Sequence, residues 1–91
     1  MNWENEARHI VRSELVRRGV TYAQLSKKLQ RIGVAETERA IANKMSRGTF
    51  PFTFYLQCMA ALGVEKVSFE LVLQDSGADP VVKRTFIDDG S

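Results

Sequence analysis

Cysteine occurs once in these 91 residues, histidine once, tryptophan once and proline twice. One cysteine excludes an internal disulfide framework, and Cys58 lies inside an apolar run, where a thiol is more often a small buried hydrophobe than a nucleophile. That usage fits a reducing compartment, so a cytoplasmic protein is expected. His9 has no second histidine or cysteine near it, and there is no HExxH or CxxC spacing and no phosphate-cradling glycine loop. Without a second base or a ligand set, neither catalysis nor a metal or other cofactor is expected. No apolar run approaches the ~20 residues that span a bilayer, and MNWENEARHI has no basic stretch leading into an apolar one, so neither membrane insertion nor a secretory leader is expected. Internal repeats and low-complexity segments are also missing.

What is present suits one folded domain. Hydrophobic residues make up 44% and charged residues 26%, too apolar for disorder, yet the chain is short enough that its core is modest. Part of its stability is therefore expected from self-association. The net charge of +2 is small but unevenly spread. Residues 1–48 hold ten Lys and Arg, whereas the end of the chain from Asp75 finishes in FIDDGS. A basic first half is compatible with nucleic acid and excludes little.

Four helices are expected. Over residues 3–18, Trp3, Ala7, Ile10, Val11 and Leu15 recur at three- and four-residue steps, and Gly19 stops the run. Thr21 and Gln24 form a capping-box pattern opening a second helix, whose face is Tyr22, Leu25, Leu29 and Ile32, closed by Gly33. After a GVAE connection, residues 37–46 read as a third helix with Thr37 as N-cap. Its apolar seam is thin, only Ile41 and Met45 helped by Ala42. Pro51 suits the first turn of a fourth helix, PFTFYLQCMAAL, apolar nearly all round and expected to be buried on most sides before Gly63 ends it. Trp3, Phe50, Phe52, Phe54 and Tyr55 are expected to pack the core, with Phe50 open to an interface role.

Beyond this unit of residues 1–66, residues 67–91 form a tail. VSFELVL and VVKRTFI both alternate in the manner of strands, with DSGADP as turn chemistry between them. A short β-hairpin or an extended dimerisation arm is expected, and a short fifth helix from Ser68 competes with it.

Four short helices, the second and third joined at a glycine turn, describe a helix-turn-helix domain. TYAQLSKKL resembles the opening helix of that motif in lambda-repressor-like (Xre-type) regulators, with Leu25 and Ser26 in the places of the family's leucine and small residue. NKMSRGTF followed by an apolar helix and ALGV resembles the same family's later block. There Arg-Gly closes the recognition helix, and a leucine-glycine pair, here Leu62 and Gly63, ends the next. The likeness covers roughly residues 8–64. More narrowly, the chain looks like a small bacterial group of uncharacterised domains sharing Gly-Val-x-Glu-Thr and Asn-Lys-x-x-Arg-Gly-Thr-Phe. It departs from the usual motif in two ways. Gly33 follows Ser26 by seven positions rather than about four, and Tyr22 replaces the glutamine that commonly meets a phosphate. The resemblance thus implies a mainly α, four-helix lambda-repressor-like domain and a prokaryotic or phage-borne DNA-binding repressor.

The residues that would carry such a role can be named. Arg39, Asn43 and Arg47 are spaced i, i+4, i+8 and stack along one line of the third helix. Asn43 can pair with an adenine edge and Arg39 with a guanine edge, each worth about 1–3 kcal/mol. Lys44, Arg47 and Thr49 suit phosphate contacts, which fix register without reading sequence. Lys27, Lys28 and Arg31 on the second helix can reach the flanking backbone, or simply be solvated. Arg47-Gly48 also serves as a helix C-cap. Glu36 and Glu38 oppose a phosphate near the third helix's start. Two readings follow: a dimeric regulator of double-stranded DNA, or a protein-interaction or antitoxin-type adaptor on the same fold, recruiting a protein partner through its tail.

Overall fold

The computed structural model describes residues 2–68. The expected hairpin over 67–73 and 81–87 lies, apart from Val67 and Ser68, outside the described residues. Four α-helices occupy the rest: α1 (Trp3–Arg18), α2 (Tyr22–Arg31), α3 (Glu38–Arg47) and α4 (Phe52–Ala61). The described residues are mainly α and contain no strand. No helix among them is long and apolar enough to cross a membrane.

Each helix begins where local chemistry offers an acceptor or a fixed backbone. The Asn2 side chain accepts from the Asn5 amide, Thr21 and Gln24 close both halves of a capping box, and Thr37 accepts from the Ala40 amide. Each such cap is worth about 1 kcal/mol. Pro51 sits at the N-cap of α4, one position before the expected first turn. The helix ends share a pattern. After α1, α2 and α4 the chain runs Gly-Val, and Val20, Val34 and Val64 each donate to the carbonyl five residues back at 2.9 Å. All three valines pack partly buried against the core. Only α3 ends differently, in Gly48-Thr49, with Thr49 exposed.

The core is built from Val11 and Leu15 of α1, Leu25 and Leu29 of α2, Ile41 and Met45 of α3, and Phe54, Tyr55, Cys58 and Met59 of α4. α2 packs against both α3 and α4, and α1 packs against α3. Polar ties reinforce the joints. Ser26, buried, donates its hydroxyl to the Glu36 carbonyl at 2.5 Å, linking α2 to the segment before α3. Arg8 donates to the carbonyls of Met45 (3.0 Å) and Ser46 (3.1 Å), clamping α1 to the last turn of α3. Arg18 reaches the Leu62 carbonyl beyond α4.

Three aromatic and aliphatic expectations fail on burial. Trp3 is 56% exposed and Phe52 64%, although the pattern predicts both in the core, and Ile32 stands exposed at the end of α2. For the same reason α4 is not buried on most sides: Phe52, Leu56 and Ala60 face outward. Four short helices do not present enough surface to wrap an all-apolar helix.

Candidate nucleic-acid interface

α3 divides cleanly into two sides. Ile41 and Met45 are fully buried, so the opposite side must point away from the bundle. There Arg39, Asn43 and Arg47 are exposed, one turn apart along the axis. Among the described residues no ion pair or side-chain hydrogen bond engages any of the three. Their guanidinium and amide groups are thus presented with donors unspent. Thr37 caps the start of this helix and Gly48, at φ 71°, ends it. Thr49 follows exposed, two residues after Arg47.

Lys44 is engaged within the fold. Its ammonium pairs with the Glu36 carboxylate at 3.2 Å and lies 5.2 Å from the centroid of the Phe54 ring. Half-buried and held by a carboxylate and a ring face, it fastens α3 to the preceding connection and to α4. The same pair turns Glu36 inward, which removes one of the two charges opposing an anion near the start of α3. Glu38 stays exposed in the first turn.

The α2 cations gather elsewhere. Lys27, Lys28 and Arg31, with Arg18, Gln24 and the Gly19–Val20 turn, line a shallow hollow at the α1–α2 corner, and no α3 residue enters it. Arg18 also contacts Glu14 at 3.5 Å. Lys27, Lys28 and Arg31 have no ion pair among the described residues. Residues 2–68 hold eleven Lys and Arg against six Asp and Glu, a net of +5, so the excess acid of the chain lies beyond them.

Ionisable groups elsewhere are tuned by packing. The Arg17 side chain bonds to Glu14 and holds its carboxyl below the usual range, while burial pushes the Tyr55 hydroxyl up, with Glu14 adding to the effect. Burial pushes the Cys58 thiol up to about 12. Near neutral pH such a thiol carries roughly a thousandfold less thiolate than an exposed cysteine. Native protein is therefore expected to react with a thiol reagent at pH 8 only after unfolding. A time course with and without urea checks this, and stoichiometric labelling of the native chain within minutes would contradict it. Among the described residues no group of three or more His, Cys, Asp or Glu could hold a metal ion.

Sequence reasoning missed Arg8, which joins α1 to α3, and the internal pairing of Lys44. The first had no sequence signal, since the partners are 37 and 38 residues away. The second had a faint one, because Glu36 lies eight positions before Lys44 in the connection feeding the helix.

Searches for similar chains return no match among curated proteins or solved structures. A family model does match, over residues 3–67, a span that takes in all four helices and both polar joints around α3. The chain belongs to the family described as Domain of unknown function (DUF6471).

Proposed function

We propose that this chain is a sequence-reading regulator of double-stranded DNA with the lambda-repressor-like helix-turn-helix arrangement, α2 and α3 forming the motif. The observation that carries this reading is the outward line of α3. Arg39, Asn43 and Arg47 stand exposed and unpaired among the described residues on a helix whose other side is anchored in the core. A rigid helix presenting a planar amide between two guanidinium groups has the donors and acceptors that major-groove base edges match. Arg39, in the first turn of α3, and Asn43, at its middle, take the base edges; Arg47, its last residue, and Thr49, just beyond it, take phosphate. Lys44 is left out, being bound to Glu36. Lys27, Lys28 and Arg31 supply a second cationic surface for backbone, and the net of +5 on residues 2–68 favours approach to a polyanion.

The test is binding of the full chain to labelled duplex DNA as salt is varied. Affinity should fall steeply and linearly on a logarithmic plot, and Arg47→Ala should reduce the slope by about 1. On a selected site, Asn43→Ala should cost about 1–3 kcal/mol and relax preference at one base pair. Absence of binding to any duplex at low salt would overturn the reading. The exposed aromatic groups of α1 and α4 favour an association role as well, and a dimer on a paired half-site would use both features.

A further inference from the structure

We propose that the apolar hollow between α1 and the start of α4 is the face through which two copies of this chain associate. The hollow is lined by Ala7 and Ile10 of α1 and by Phe50, Phe52 and Tyr55 around the α3–α4 corner, with no charged residue among them. Its walls are preformed: the Phe52 and Tyr55 rings stack at 5.6 Å, and Phe50 meets Phe54 edge-on at 5.5 Å. Beside it stands one projecting group, Trp3, one turn before Ala7 on the same stripe of α1 and 56% exposed, while the wall residue Phe52 forms an open rim at 64% exposure.

A projecting aromatic beside an aromatic hollow is self-complementary. About a two-fold axis, the projecting ring of each copy enters the hollow of the other, so one patch serves both partners. Charge selects the same face. The lining carries no charge, so pairing it across two copies brings no cation toward a cation. The area is of the right order. Aromatic side chains carry roughly 150–250 Å² each, so Trp3 and Phe52 at their present exposure offer about 250 Å² per copy. With Leu56 and the hollow's walls, two copies would remove on the order of 1,000 Å² from water, the lower end for a specific interface. An interface of that size is weak, so the dimer is concentration-dependent. It stands apart from the DNA reading, since it is tested without nucleic acid.

Trp3 is the single tryptophan, so its emission reports on this patch alone. Sedimentation equilibrium and tryptophan emission of the full chain, followed over a wide concentration range, should change together. Mass should rise from monomer to dimer while emission shifts to the blue. Phe52→Glu should weaken association about tenfold or more and hold Trp3 emission at its exposed value, with helical circular dichroism unchanged. Should Phe52→Glu lose that signal, Trp3→Glu, at the exposed start of α1, gives the same mass readout. Three results would overturn the proposal: a monomer at every concentration with exposed emission; a monomer with buried emission, meaning the chain's own remainder covers the patch; or a dimer indifferent to both substitutions.

Discussion

Replacing Gly48 by alanine is expected to cost about 2–4 kcal/mol of folding stability, lowering the thermal midpoint by roughly 10–25 °C. Two effects add at this one position. Gly48 ends α3 at φ 71°, where an L side chain costs about 1–2 kcal/mol. The new Cβ would also stand 2.7 Å from both the Cβ and the carbonyl oxygen of Glu4, and 2.9 Å from an Arg8 nitrogen. Backbone cannot give way as the tip of a flexible side chain can, so α1 must lift or α3 must shorten; such overpacking costs about 1–3 kcal/mol. Gly19 supplies the control. It ends α1 at φ 66° with no atom within 4 Å of an added Cβ, so Gly19→Ala should cost only the backbone part, about 1–2 kcal/mol. Urea unfolding followed by circular dichroism measures both, and equal losses would show that α1 does not press on Gly48.

This contrast also marks what could be read from the chain beforehand. Gly19, Gly33, Gly48 and Gly63 all read as helix stops, and all four have positive φ. Thr21, Gln24 and Thr37 likewise read as caps and act as caps. These are local devices: donor and acceptor lie within three or four residues, so residue type and spacing almost determine the outcome. The buried members of each helical face, Val11, Leu15, Leu25, Leu29, Ile41 and Met45, were legible for the same reason, since the 3.6-residue period names them. That Gly48, alone of these four, is overlaid by another helix has no local signature.

The misreadings have one physical source. Hydrophobicity states that Trp3, Ile32 and Phe52 would gain from burial, not that a covering surface exists. In four helices of 10 to 16 residues that surface runs out. The same limit governs the candidate interface. The i, i+4, i+8 spacing of Arg39, Asn43 and Arg47 put them on one line, and the burial of Ile41 and Met45 puts that line outside. Lys44, one residue from Asn43 but about 100° around the helix, turns instead toward Glu36 and Phe54. A difference of one position separates a side chain presented to solvent from one spent on the fold.

Arg8→Ala is expected to cost about 2 kcal/mol, the second large loss, through the same joint but a different physics. The last carbonyls of α3 have no intrahelical donor, and Arg8 supplies one guanidinium to two of them, Met45 at 3.0 Å and Ser46 at 3.1 Å. Asn5 accepts a further bond from the same group and so holds it in place. Bonds to charged donors are worth about 1.5–3 kcal/mol each when buried, and these are half-buried or exposed, which brings the pair to about 2 kcal/mol. Arg8→Lys keeps the charge near the negative end of the α3 dipole but loses the planar fork that spans two oxygens, so it should recover less than half. The double variant separates a shared joint from two independent sites. Because the Gly48 substitution already displaces the Arg8 head, Arg8→Ala should cost less in a Gly48→Ala background than in the wild-type chain, by about 1 kcal/mol. Full additivity in urea unfolding would mean that Arg8 and Gly48 act separately and that α1 does not fix α3 through this contact. A shortfall, together with a weakened DNA affinity in Arg8→Ala below its unfolding transition, would make Arg8 the residue that sets the pose of α3 without touching the nucleic acid.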